Sequence, residues 1–246
     1  MKADPDAQRR LLDLQGLDTG LAQLAHRRRS LPEHAESDRL ARSIAALDDE
    51  HVRAQVSIDD LDRDIARLER DIDQVRARKA KDQARLDAGT GPPRELEALQ
   101  HEMVSLSRRQ TELEDAELEL MEQREQAEAV LREVDQRRSA AREERDAVES
   151  RRAALLSDIA RDEEFKQASR KPLVADLPPD LISLYEKIRE LAGGIGAALL
   201  RSGRCEGCRL ELSGSERARV RAAPPDEVVR CDECRRILVR TLESGL

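Results

Sequence analysis

Asp87-Ala-Gly-Thr-Gly-Pro-Pro93 is the stretch on which the fold turns. Glycines at 89 and 91 permit a chain reversal, and the prolines that follow suit the first turn of a new helix. Helical periodicity runs on both sides of it. Upstream, apolar positions step by four and three from Leu40 through Ile44, Leu47, His51, Ala54, Ile58, Leu61, Ile65, Leu68, Ile72 and Val75. That is an a/d seam, and it calls for a coiled-coil partner. Downstream, Leu99, Leu106, Leu113, Leu120, Ala127, Val134, Ala141, Val148 and Leu155 recur every seven residues. Their companion row is apolar at Leu96, Met103, Leu131 and Ile159 but polar at Gln110, Glu117, Arg124, Arg138, Arg145 and Arg152. One dry row and one wet row make a narrow seam, suited to a two-helix hairpin rather than a multi-helix core. Reflection about the turn pairs residues whose numbers sum to roughly 181, which sets Leu68 near Leu113 and Leu61 near Leu120, a register open by about half a heptad because both seams repeat every seven.

An earlier apolar row, Leu14, Leu17, Leu21 and Leu24, is out of phase with the main seam, and Pro32 lies between the two. Proline forfeits a helical hydrogen bond and clashes with the preceding turn, so a kink or break is expected near Leu31-Pro32. The N-terminal segment should then pack beside Leu155 and Ile159.

Composition supports this reading. Of 246 residues 39% are charged, and the aromatics are one Phe and one Tyr, too few to seed an ordinary globular core of this length. No transmembrane span or secretory leader is visible, which predicts a cytoplasmic protein. The formal net charge of −8 argues against indiscriminate nucleic-acid binding. Arginine outnumbers lysine 38 to 6, a bias that phosphate recognition or a GC-rich coding preference explains equally well.

The third part of the chain begins after Lys171-Pro172, giving a predicted hairpin domain over residues 1–172 and a second domain over 173–246. Leu177-Pro-Pro-Asp-Leu-Ile-Ser-Leu-Tyr-Glu-Lys-Ile-Arg189 reads as a short helix with Leu181, Leu184, Tyr185 and Ile188 on one face, stopped by Gly193-Gly194. Strands are expected at 195–201, 228–230 and 237–240, and a short helix at 213–222. The only cysteines are Cys205, Cys208, Cys231 and Cys234, in two C-x-x-C turns. Two such turns complete a tetrahedral Zn²⁺ shell, and the loop of 22 residues between them is permissive. One structural zinc is the expected cofactor; the competing reading is one or two redox disulfides. So small a module buries little apolar surface, so the metal should supply much of its stability.

Tyr185-Glu-Lys-Ile-Arg189, Gly203-Arg-Cys-Glu-Gly-Cys208, Leu212 and Val228-Val-Arg-Cys-Asp-Glu-Cys-Arg-Arg-Ile-Leu238 together resemble the bacterial C4-type zinc-ribbon family with an N-terminal coiled-coil hairpin. Glu95-Leu-Glu-Ala-Leu-Gln-His-Glu102 is similar to that family's hairpin-tip motif. Leu96 and Val239 depart from it, at positions where the family often carries an aromatic and a tyrosine. The resemblance implies a non-enzymatic protein that binds nucleic acid or protein partners.

The residues themselves favour no catalysis. His26, His34, His51 and His101 are scattered along helices, and His51 at a seam position reads as a register-setting polar residue rather than a ligand. No phosphate loop, nucleophile elbow or HExxH occurs, and four thiolates leave a zinc no open position. From Arg201 onward the chain carries +2, which a Zn(Cys)₄ centre cancels. Nucleic-acid contact would therefore need local clustering: Arg217, Arg219 and Arg221, or Arg235, Arg236 and Arg240. The competing role is screening of the anionic centre by Arg204, Arg235 and Arg236. The whole reads as a mainly α protein, a long antiparallel coiled-coil helical hairpin followed by a small C-terminal zinc-ribbon (β) domain. Its expected role is a zinc-binding adaptor with DNA or RNA bound through the ribbon, or a purely protein-binding scaffold. Neither a membrane nor a small-molecule substrate is expected among its partners.

Overall fold

The computed structural model describes residues 1–245. Helix α1 spans Pro5–Arg29, α2 Pro32–Ala88, α3 Pro93–Ala175 and α4 Pro179–Leu191. Strands β1 (Ala197–Arg201) and β2 (Arg204–Cys205), helix α5 (Gly214–Ala222), and strands β3 (Val229–Arg230) and β4 (Ile237–Val239) complete the chain. The helix does break at Leu31-Pro32: Ser30 closes α1 through its N–H and hydroxyl to the His26 carbonyl, and Pro32 opens α2. The reversal falls in residues 89–92, where Gly89 and Gly91 take φ of 60° and 149°, conformations costly for any residue with a Cβ.

Two compact units emerge, Ala35–Glu149 and a second assembled from Met1–His34 with Ser150–Leu246. The predicted boundary at 172/173 thus falls inside one unit, and Pro172 does not end α3. The helix runs on to Ala175, with the Pro172 carbonyl accepting from the Asp176 N–H and the Leu177 side chain buried just beyond.

In the Ala35–Glu149 unit the seam is as read: Leu40, Ile44, Leu47, Ile58 and Ile72 of α2 and Leu99, Leu113, Val134 and Val148 of α3 are buried. The register differs from the expected one by a heptad. Leu68 and Leu120 line one hollow, rather than Leu68 with Leu113. Both seams repeat every seven residues, so apolar matching cannot choose between the two alignments. Charge can. The expected register opposes Asp62 to Glu119 and Asp48 to Glu133, whereas the observed one pairs Asp62 with Arg124 and Asp48 with Arg138 (2.6 Å) and Arg142 (3.0 Å). Arg76–Glu114 (2.7 Å), Arg137–Glu50 (3.4 Å) and His51–Asp135 (3.3 Å) continue the ladder. Each exposed pair is worth little alone; what they select is alignment.

In the other unit, Leu24 and Leu31 pack with Ile159, flanked by Leu155 and Leu156, as the returning N-terminal segment requires. The sheet, ordered β2-β1-β4-β3, has parallel β1 and β4 at its centre. Period-two alternation sends Ala197, Ile237 and Val239 to one face and Ala198, Leu200 and Leu238 to the other. The first face packs on Leu11 and Leu14 of α1 and on Leu181, Tyr185 and Ile188 of α4. The second packs on Leu212, Val220 and Val229 and on the cysteines. The ribbon is therefore not a module resting on metal alone. One of its two apolar faces packs on the helices.

Candidate metal centre

Each C-x-x-C turn is built by the same backbone bonds. Arg209 N–H donates to the Cys205 carbonyl (2.7 Å) and Cys205 N–H to the Leu210 carbonyl (3.0 Å). In the second turn Arg235 N–H donates to Cys231 (2.9 Å) and Cys231 N–H to Arg236 (3.0 Å). Arg209 and Arg235, the residues directly after the second cysteine of each turn, sit at φ of 63° and 62°. Those left-handed conformations fold the backbone around the sulfurs.

The four Sγ atoms lie within 4.8 Å of one another, with Cys205–Cys234 at 3.8 Å and Cys208–Cys231 at 3.9 Å. A tetrahedron with Zn–S bonds of about 2.3 Å has S–S edges of about 3.8 Å, so the donor set fits the ion. All four thiols are free. Burial pushes the Cys205 thiol up to about 11, against the pull of the Cys208 and Gly207 N–H groups. Burial likewise raises Cys231, opposed by N–H groups of Cys234 and Glu233. Cys234 is held down despite burial, by the Arg236 N–H and the neighbouring thiols. Backbone donors aimed at sulfur are what a thiolate-bound dication exploits, and a coordinating thiol is deprotonated outright.

Second-layer contacts hold the turns in place. Glu216 is 3% exposed, and its carboxylate accepts the Asp232 N–H inside the second turn (2.8 Å). Ser213 caps α5 by accepting the Glu216 N–H. The Ser213-x-x-Glu216 spacing is legible as a capping box, but the carboxylate is directed to the knuckle instead of its own N-cap. A Cβ on Gly207 would fall 2.7 Å from Arg236 Cδ, so that turn admits only glycine at this closeness.

The six arginines expected to contact nucleic acid are not equivalent. Arg236 donates to the carbonyls of Ile195, Gly207 and Ala192, and Arg240 to those of Val220, Ala223, Pro224, Pro225 and Glu227. These two are clamps for loops whose carbonyls lack ladder partners, and they do not form a cluster free for phosphate. Arg219 pairs with Asp232 (2.7 Å), and Arg217 is half-buried against Gly203. Arg221 and Arg235 are exposed. Sequence reading missed the reason: an irregular loop's demand for donors is set by tertiary folding.

It also missed a buried polar junction beneath the sheet. The Tyr185 hydroxyl, fully buried, donates to Asp18 (2.7 Å), whose carboxylate also accepts from Arg170 (2.7 Å). Gln15 accepts the Gly196 and Ala197 N–H groups (2.7 and 3.3 Å) and donates to the Gly194 carbonyl (3.1 Å), fixing the entry to β1. A Cβ on Gly196 would lie 2.6 Å from the Tyr185 carbonyl oxygen. Burial, then the bond to Asp18, raise the Tyr185 hydroxyl far above its usual pKa.

Residues 14–193 match the CT398-like coiled coil hairpin domain, and residues 204–238 the C4-type zinc ribbon domain. An uncharacterized protein of Mycobacterium tuberculosis (strain H37Rv) is 38% identical over 240 residues, covering 98% of both chains. A solved structure from Mycobacterium smegmatis is similar with a TM-score of 0.86 and 36% identity, covering 98% of this chain and 100% of that one. CT398 from Chlamydia trachomatis, 21% identical, shares the fold with a TM-score of 0.68 over 95% of this chain and 97% of its own. The cysteine cage is that of a ribbon able to hold one structural Zn²⁺, and the chain belongs to the CT398-like coiled-coil hairpin family.

Proposed function

We propose that the protein is a non-enzymatic adaptor of the cytoplasm, in which zinc held by Cys205, Cys208, Cys231 and Cys234 fixes a surface for a protein partner. The observation that carries this reading is the pairing of a complete four-sulfur shell with an exposed Leu191 in the apolar hollow beside the second knuckle. Four thiolates leave a zinc no open position for a substrate. Leu191 is 79% exposed and lines an apolar hollow with Leu184, Ile188 and Cys234, whereas Val104 and Leu118 stand singly exposed on α3. No helix among the described residues is long and apolar enough to cross a membrane. Free thiols suit a reducing compartment.

Nucleic-acid binding is a second reading, favoured by Arg221 and Arg235, which are exposed and carry no side-chain partner among the described residues. Under it, Arg217, Arg219 and Arg221 of α5 supply phosphate contacts, and each lost contact lowers the logarithmic salt slope by ~0.7–0.9. A pull-down from the native lysate, with and without nuclease, separates the two. Partners that survive nuclease support the adaptor. Partners lost with it, together with salt-sensitive retention on RNA or DNA that falls when those three arginines become Gln, would support the second reading.

A further inference from the structure

A cavity of about 510 Å³ opens where α4 meets the second knuckle. Its floor is aliphatic: Leu184, Ile188 and Leu191 present one side of α4, opposite Cys234 and the stems of Arg235 and Arg236. Leu191 is the last residue of α4 and stands largely exposed at the mouth. The rim carries Lys187, Arg230 and Arg235. None of the three has a side-chain hydrogen bond or ion pair among the described residues, in a chain where most exposed arginines do. No carboxylate among the described residues lines the cavity. Even against the −2 of a Zn(Cys)₄ centre, three free cations with Arg236 leave this face positive. The chain as a whole is acidic, with a net charge of −8.

We infer that this groove docks a short peptide segment of a partner protein, one that sets leucine-type side chains between Asp and Glu residues. The apolar floor asks for aliphatic side chains, and the three unpaired cations ask for carboxylates on either side of them. The complementarity is specific in both respects. A purely acidic chain leaves the floor wet, and a purely apolar one leaves three cations facing a low-dielectric surface. A phosphate backbone would satisfy the cations but not the floor, which has no aromatic ring on which a base could stack. The inference rests on the adaptor reading and narrows it to one surface.

The test uses the zinc-loaded full chain and a fluorescein-labelled synthetic peptide alternating Asp or Glu with Leu, followed by anisotropy. Saturable binding is expected. It should weaken about tenfold or more when the acids become Gln, when the leucines become Ser, and in Leu191→Glu or Arg230→Glu protein. Both positions are exposed, so zinc content and helicity should be unchanged in the variants. Absence of binding, or binding indifferent to both substitutions, overturns the groove. So does binding of a fluorescein-labelled RNA oligonucleotide by a protein that ignores the peptide. A photo-crosslinking amino acid placed at position 191 or at position 118 then separates this inference from its parent in cells. Capture at 191 of a protein through an acidic, leucine-bearing segment supports the groove. Capture at 118 alone overturns the groove and leaves the adaptor standing. Capture at neither removes both.

Discussion

The two compact units solve the problem of burial in opposite ways. Ala35–Glu149 has one seam of modest width, flanked by exposed ion pairs, and its apolar contacts repeat every seven residues. Its stability is spread along that seam, because each heptad resembles the next. The other unit, built from Met1–His34 and Ser150–Leu246, concentrates its stability in a few irreplaceable contacts. Its small sheet is buried on both faces, Tyr185 and Asp18 form a buried polar junction with Arg170, and four thiols converge on one point. Repetition makes a structure tolerant but poor at fixing register. Concentration makes one fragile but able to hold a surface in a single shape. The comparison predicts where substitutions hurt.

The largest effect should follow Cys231→Ser. Structural zinc sites supply roughly 10–16 kcal/mol of apparent binding free energy at neutral pH in small peptides. Loss of one ligand should therefore release the metal and unfold the 204–238 region. Most far-UV helicity should persist, since α2 and α3 carry their own seam. Elemental analysis and circular dichroism check it; collapse of the helical signal would dissolve the distinction between the units.

Next in size is Asp18→Ala. It removes one of the two carboxylates on Arg170, leaving Glu186, and leaves the Tyr185 hydroxyl with Gln15 (3.2 Å) in place of its 2.7 Å acceptor. Losing the hydrogen bonds to this buried carboxylate costs about 1–3 kcal/mol. A denaturant titration should show the loss. An equivalent removal of one hairpin pair, Glu114→Ala against Arg76, should be barely measurable by the same titration.

How much of this was readable beforehand follows the same division. The reversal at residues 89–92, the break at Pro32, the seams and the cysteine cage are all written locally, as breakers, periods and spacings. The register was not, because a seven-residue repeat aligns with itself after any whole heptad, and only the facing charges of Asp48 and Asp62 discriminate. Pro172 marks no helix end: α3 runs on to Ala175, with Leu177 buried just beyond it. The carbonyl bonds of Arg236 and Arg240 were not legible, because arginines near a metal centre look alike in sequence whether they face solvent or loop carbonyls. The Gln15–Asp18–Tyr185 junction joins residues more than 160 positions apart, and β2 is only two residues long. Neither leaves a pattern.

A smaller effect concerns pH. Tyr185 is the only tyrosine, so tyrosinate absorbance reports it alone. Its pKa is raised by folding, first by burial and then by Asp18. The unfolded chain loses that proton near pH 10, while the folded chain keeps it, so stability from this group is full below pH ~10 and falls as pH rises beyond it. Tyrosinate should thus appear only together with unfolding. A titration near pH 10 in the folded protein would contradict the buried junction. Tyr185→Phe should flatten the alkaline limb of the stability curve.

The smallest effect should come from Arg209→Gly. At φ 63° a side chain is strained, and glycine relieves about 1 kcal/mol or more of that strain while costing part of it back in unfolded-state entropy. A net gain of a few tenths of a kcal/mol, read from the thermal midpoint of the zinc-loaded protein, is expected.

Amide hydrogen exchange with and without zinc tests the account most directly, because it reads both units in one experiment. Chelation should strip protection from β1, β2, β3, β4 and α5, and lower it in α4 and the part of α1 that carries Leu11 and Leu14, since those helices share the sheet's inner core. Protection across residues 35–149 should be unchanged. Uniform loss along the whole chain, or undiminished protection at Ile237 and Leu238 after the metal is gone, would contradict it.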